Sequence, residues 1–131
     1  MITYTGGSIT NLIKNLNNGR GIWTTDTPAR ATRYANAQAT GEVNPDMSQD
    51  LAENAVILTV DCKPGYWTRR DDNHGSLDTA ETFTNEFEIK KVTLRFAEYK
   101  NTLYGTRHTG YKTREQVIEM LTAQGVEIEV L

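Results

Sequence analysis

The run Ala55 to Val60 reads Ala-Val-Ile-Leu-Thr-Val. Six residues so nearly all apolar, and so rich in β-branched side chains, mark a central strand, because a strand covered on both faces has no need of alternating polar positions. The segments around it are short. Met1 to Thr5 reads as a strand ending in Gly6-Gly7, and Ser8 then caps a helix whose apolar residues are Ile9, Leu12, Ile13 and Leu16. That i, i+3, i+4, i+7 stripe belongs to a helix lying on a core, and Asn17-Asn18-Gly19 stops it. Gly21 to Thr25 is a second strand. Asp26 or Thr27 caps a second helix with Pro28 in its first turn and Ala31, Tyr34 and Ala35 on one face.

Residues 41–52 carry Gly, Pro, Asn and Asp and read as a loop. Residues 68–82 are polar and fit no period. From Phe83 to Phe96 the pattern becomes informative. Phe83, Phe87 and Ile89 are apolar at odd positions, Val92, Leu94 and Phe96 at even ones. A strand cannot change faces without a bulge or a turn, which places one at Lys90-Lys91. Residues 100–112 read as a polar loop. Thr113 and Gln116 fit a capping box opening a helix with Val117, Ile118 and Leu121, ended by Gly125. Val126, Ile128 and Val130 alternate with glutamates as a last, half-exposed strand. No repeat or linker interrupts this order, so residues 1–131 read as one α+β domain.

Charge and cysteine content narrow the function classes. Lys plus Arg number 14 and Asp plus Glu 17, a formal charge of −3, which does not pre-charge the chain for phosphate backbones. Cys62 is the one cysteine, so neither an internal disulfide nor a cysteine-based zinc site can form, and its place in an apolar strand makes it a small buried hydrophobe. Met1 to Thr5 lacks the basic and apolar regions of a signal peptide, and no apolar stretch has the length of a membrane span. A cytoplasmic protein without membrane attachment is expected. His74 and His108 lie in polar, loop-like segments and read as solvated. Arg69-Arg70-Asp71-Asp72 reads as a solvated turn. Gly19 and Gly21 begin a G-x-G but lack the third glycine and the long βαβ pattern, and no metal-ligand spacing is present.

Three separated pieces carry more. The first is Tyr4-Thr5-Gly6-Gly7-Ser8. The second is Gly21-Ile22-Trp23-Thr24-Thr25-Asp26 followed by Ala31-Thr32-Arg33-Tyr34-Ala35. The third is Thr84-Asn85-Glu86-Phe87-Glu88-Ile89, read as a late strand bearing glutamates. In this order and at these distances they resemble the ADP-ribosyltransferase superfamily, and within it the branch of the poly(ADP-ribose) polymerases and their bacterial mono-ADP-ribosyltransferase relatives. In that branch the first strand ends His-Gly, the second reads like Gly-Ile-Tyr before a helix with a second Tyr, and the third reads like Asn-Glu-Tyr. Asn85-Glu86-Phe87 matches the third and Gly21-Ile22-Trp23 the second. Thr5 stands where the histidine is expected. The resemblance covers roughly residues 1–97.

The resemblance implies two small mixed and antiparallel sheets forming an NAD cleft flanked by short helices. It implies a mono-ADP-ribosyltransferase that takes NAD as substrate and passes ADP-ribose to a macromolecular acceptor, a protein first, with a nucleic acid left open but not encouraged by the acidic balance, in the setting of a toxin, effector or phage protein. Thr5, Gly6, Trp23, Thr24 and Tyr34 become the NAD-binding residues. Gly6 lets its backbone approach a flat carboxamide, and Trp23 and Tyr34 can sandwich the nicotinamide ring. Cleavage passes through a ribose with oxocarbenium character, which a carboxylate holding the ribose 2-hydroxyl stabilises. Glu86 is the first candidate and Glu88, two residues along the same strand face, is its rival. Two other readings stay open: an NAD glycohydrolase with water as acceptor, and a non-catalytic domain that binds NAD, ADP-ribose or a protein, which the threonine at position 5 favours. Trp23 and Tyr34 can equally be core aromatics, and Glu86 and Glu88 the solvated face of an edge strand.

Overall fold

The computed structural model describes residues 1–15, 21–63, 67–70, 80–98 and 103–131. The helix stop at Asn17-Asn18-Gly19, the pair Asp71-Asp72 and His74 lie outside them. Strand β1 spans Ile2–Ser8 and runs straight through Gly6-Gly7, where the sequence suggested an end. Backbone pairing carries it: its seven residues pair with β3 (Ala55–Cys62), from Ile2 opposite Asp61 to Ser8 opposite Ala55. Ser8 then caps α1 (Ile9–Asn15), its Oγ accepting the Asn11 N–H at 3.1 Å. After β2 (Ile22–Thr25), Thr27 caps α2 (Pro28–Thr40) with Pro28 at its first position, where a missing N–H costs nothing. Gly41 ends α2 at a φ of 78°, a left-handed conformation that glycine adopts without strain.

The strands β4 (Trp67–Arg70), β5 (Ala80–Thr84), β6 (Phe87–Leu94) and β9 (Glu127–Val130) complete a seven-stranded sheet ordered β4-β5-β2-β1-β3-β6-β9. All of its pairings are antiparallel except β6 with β9. The bulge falls where the phase break required it. Thr59 pairs with Lys91 and Val60 with Ile89, so Lys90 is the extra residue, and Ile89 and Val92 both reach one core. Residues 100–112 are not the featureless loop expected. Tyr104–Thr106 (β7) and Gly110–Lys112 (β8) form a separate two-stranded ribbon before α3 (Arg114–Ala123), whose capping box at Thr113 and Gln116 is fully made.

The expected pair of small sheets is thus one hydrogen-bonded order with a weak seam. Between β1 and β2 the ladder consists of Tyr4 opposite Thr25 alone. β5 and β6 stand four places apart in the order, which on a flat sheet is about 19 Å at about 4.8 Å per strand. The chain from Thr84 to Phe87 spans at most about 11 Å. Only a sheet that curls round between β5 and β6 lets Asn85-Glu86 link the two strands. One face of the sheet packs on α1 and α3 through Ile9, Leu12, Val56, Val92, Leu94, Val117 and Leu121, and the other on α2 through Ala35, Leu51 and Ala55. No helix among the described residues is long and apolar enough to cross a membrane.

Candidate functional site

Beyond Tyr4 and Thr25 the facing edges of β1 and β2 diverge, and a cleft of about 460 Å³ lies at the divergence. Its walls are Tyr4, Thr5 and Gly6 of β1, Ile22 to Thr25 of β2, Tyr34, Ala37 and Gln38 of α2, and Glu81 of β5. The volume is in the range of small-molecule sites. A smaller space of about 180 Å³ adjoins it, sharing Thr5, Gly6, Ile22 and Gln38 and adding the polar residues Ser8, Asn11 and Asn15.

The structure brings Thr5, Gly6, Trp23, Thr24 and Tyr34 to this one cleft. Trp23 and Tyr34 are 45% and 36% exposed, so they are not core aromatics. The Trp23 ring rests edge-on against Phe83, with centroids 5.5 Å apart and planes at 61°. Thr24 is buried and its hydroxyl donates to the Thr82 carbonyl at 3.2 Å, which ties β2 to β5. Thr25 differs: its Oγ1 is buried with no hydrogen-bond partner, although the residue lines the cleft. A buried hydroxyl left so is an opening for a ligand or a water.

Gly6 has a more immediate reason than carboxamide approach. A Cβ there would lie 1.9 Å from the Ala31 carbonyl oxygen of α2, so the crossing of helix and strand itself requires glycine. Close crossing also brings α2 over the edge of β1, and that sets Tyr34 and Gln38 beside the Thr5-Gly6 backbone.

The two glutamates chosen from sequence are elsewhere. The stretch from Thr84 to Ile89 is no single strand. Thr84 Oγ1 accepts the Glu86 N–H at 3.2 Å and donates to the Glu86 carbonyl at 3.1 Å, closing a turn between β5 and β6. Glu86 sits exposed in that turn with Lys63 at 3.0 Å, and Glu88 is exposed on β6 with Lys90 at 3.2 Å. Neither lines the cleft.

The carboxylate in the cleft is Glu81, 6% exposed and opposite Thr25 in the β2–β5 ladder. The Tyr34 hydroxyl donates to Glu81 Oε1. Burial, first, and then the Glu81 carboxylate hold that hydroxyl's pKa above the usual tyrosine value, while the Arg30 guanidinium opposes them. Glu81 was legible in principle, because the alternation Glu81-Thr82-Phe83 puts it on the face of Phe83 and of the paired Trp23. The polar context of residues 68–82 hid it. Arg30 and Gln38 were missed for a simpler reason, since single polar residues on a helix read as solvated.

Among the described residues no group of three or more His, Cys, Asp and Glu side chains could hold a metal ion. No family model, curated protein or solved structure matches the chain.

Proposed function

We propose that the protein is an NAD-dependent mono-ADP-ribosyltransferase acting on a macromolecular acceptor, with Glu81 in place of Glu86 or Glu88 as its working carboxylate. The observation that carries this is a buried carboxylate in a cleft walled by two solvent-exposed aromatic rings and by a strand edge whose neighbour has turned away. Exposed Trp and Tyr faces at a cleft are a stacking surface for a flat ring such as nicotinamide. The β1 edge at Thr5-Gly6, outside the ladder to β2, offers backbone N–H and C=O groups of the kind a carboxamide pairs with. The adjoining space beside Ser8 and Asn11 gives room for the second half of a dinucleotide. The orphaned Thr25 hydroxyl beside Glu81 fits a sugar hydroxyl.

In the reaction, the bond between the ribose anomeric carbon and the nicotinamide nitrogen breaks, and its electron pair leaves on neutral nicotinamide. The acceptor's lone pair forms the new bond at that carbon and the acceptor loses a proton. Glu81 holds the ribose 2-hydroxyl and faces the positive charge that develops on the sugar, a contact stronger in the transition state than in the ground state.

The test is nicotinamide release from NAD, with and without cell lysate, by wild type and by Glu81→Gln, Glu86→Gln and Glu88→Gln. Glu81→Gln should lose on the order of 10²- to 10³-fold in rate, as removal of one transition-state contact does. The two exposed glutamates should change it by less than about threefold, since surface ion pairs are weak. A lysate protein gaining the mass of ADP-ribose identifies a transferase, and release without such a protein a glycohydrolase. No release from folded wild type refutes both.

A further inference from the structure

The cleft and the smaller space beside it share four residues, Thr5, Gly6, Ile22 and Gln38. Gly6 has no side chain and Ile22 no polar one, so of these only Thr5 and Gln38 bring polar side-chain groups to both spaces. Gln38 belongs to α2 but is held at the end of β1. Its Oε1 accepts the Ser8 N–H at 3.1 Å and a proton of Asn11 Nδ2 at 2.9 Å, and Ser8 Oγ accepts the Asn11 N–H at 3.1 Å. Ser8, Asn11 and Gln38 thus close a ring that joins β1, α1 and α2. A Cβ at Gly7 would meet the same Oε1 at 2.9 Å, so the bare backbone at position 7 leaves the carboxamide its place.

The ring also fixes which end of the carboxamide is which. A backbone N–H only donates, so the atom facing Ser8 is the oxygen and the NH2 is the other end. Neither N–H of that NH2 meets an acceptor among the described residues. A side chain that walls both spaces therefore carries two donors with no acceptor of their own. No Lys, Arg or His is among the described residues walling either space. In a dinucleotide the group between the two halves is the pyrophosphate, which offers charged oxygens as acceptors, and a neutral donor binds a charged acceptor more strongly than a neutral one. We propose that Gln38 is the pyrophosphate-binding residue of the site, its Nε2 donating to phosphate oxygens where NAD passes from the cleft into the adjoining space. The proposal rests on the reading of the cleft as an NAD site, and it adds the contact that distinguishes a dinucleotide from a nucleoside.

The test uses ADP-ribose, which contains the pyrophosphate and needs no turnover. In nitrogen-labelled wild type, NMR follows the Gln38 side-chain N–H pair, assigned through its own backbone. That pair should shift on addition of ADP-ribose and stay in place with adenosine. Calorimetry then gives the affinity for ADP-ribose in wild type, Gln38→Met and Gln38→Glu. The dissociation constant should rise on the order of 10- to 100-fold in Gln38→Met, as loss of a hydrogen bond to a charged group does. In Gln38→Glu it should rise further, because a carboxylate oxygen then stands where the NH2 stood and repels the phosphates. A purely structural role for the ring predicts the opposite order, since Gln38→Glu keeps an oxygen for Ser8 and Asn11 and Gln38→Met does not.

A Gln38 pair that ignores saturating ADP-ribose, or that adenosine moves equally, overturns the proposal. So does Gln38→Glu binding as well as Gln38→Met, or folded wild type that binds no ADP-ribose. Should the variants not fold, the wild-type pair decides alone. ADP-ribose binding with the expected shifts, in a protein that releases no nicotinamide from NAD, refutes the transferase reading and leaves the contact standing. Nicotinamide release by a wild type whose Gln38 pair ignores ADP-ribose does the reverse.

Discussion

Gly6→Ala would put a Cβ 1.9 Å from the Ala31 carbonyl oxygen, 2.8 Å from the Ala31 carbonyl carbon and 2.9 Å from the Ala35 nitrogen. All three are backbone atoms of α2, so no side chain can swing aside. Ordinary contact needs about 1.5 Å more, and the helix must be lifted from β1 by something near that. Overpacking of this kind costs about 1–3 kcal/mol, and backbone opposition puts Gly6→Ala at the upper end. For a chain of this length about 3 kcal/mol lowers the melting temperature by roughly 10 °C. Two other glycines serve as controls. A Cβ at Gly7 meets Gln38 Oε1 at 2.9 Å, the far end of a side chain that can give way at the cost of the hydrogen bonds it accepts from Ser8 N–H and Asn11 Nδ2. Gly41 has φ 78° and nothing within 4 Å, so alanine there meets only the backbone strain of the left-handed region, about 1 kcal/mol. Thermal unfolding followed by far-ultraviolet circular dichroism should rank Gly6→Ala as much the most damaging. A Gly6→Ala melting point within about 3 °C of wild type, or a smaller loss than Gly41→Ala causes, would refute the packing argument.

Asn36→Ala should also destabilise, because Asn36 is 2% exposed, donates to the Asp50 carbonyl at 3.0 Å and accepts the Ala52 N–H at 2.8 Å. Losing both bonds leaves two backbone groups stranded and costs about 2–3 kcal/mol by urea unfolding; a change under about 1 kcal/mol would show that water replaces the side chain. Tyr34→Phe should flatten the alkaline loss of stability. The folded hydroxyl holds its proton above the usual tyrosine pKa of 10.0, so up to that pH folded and unfolded chains are both protonated and nothing is lost. Above it the unfolded chain releases the proton first, and stability falls as pH rises through the folded value. Unfolding free energies at about pH 9 and about pH 11 should diverge more for wild type than for Tyr34→Phe; equal losses would count against the Tyr34 assignment.

Much of the fold was legible from local chemistry. Ser8, Thr27 and Thr113 cap the three helices of the described residues because each offers an oxygen to the N–H three residues on, and Pro28 suits only a first turn. The phase break between Ile89 and Val92 demanded the bulge found at Lys90. Three features were not legible, and each depends on residues distant in sequence. Gly6-Gly7 looked like a strand end because glycine lacks side-chain preference, yet pairing with Val56 and Ile57 carries the strand through. Asn85-Glu86 looked like strand because its flanks alternate, whereas the Thr84 hydroxyl turns the chain there. Glu86 and Glu88 were chosen through the likeness of Asn85-Glu86-Phe87 to the third motif and through strand periodicity, while Glu81, which lines the cleft, fell in a segment with no readable period. The aromatic wall was found because Trp23 and Tyr34 stand out by type; Arg30 was not, since nothing local distinguishes a buried arginine from a solvated one.

The strand order has a consequence for how the chain reaches its native state. β1 is the first strand made and lies at the middle of the sheet, and the partner that pairs along its whole length, β3, begins only at Ala55. β2 waits longer still, for β5 at Ala80. Of the ladders in the large sheet, only β4 with β5 and the one-residue junction of β1 with β2 join strands consecutive in the chain. Loop closure must therefore precede nearly all of the pairing that rewards it, which puts folding toward the millisecond-to-second end of the scale. A nascent chain holding β1, α1, β2 and α2 exposes the apolar faces of Ile9, Leu12 and Ile13 until Val56 and then Val92 and Leu94 arrive to cover them. The arrangement that opens a cleft at the heart of the sheet also leaves its first-made half without a core until most of the chain exists.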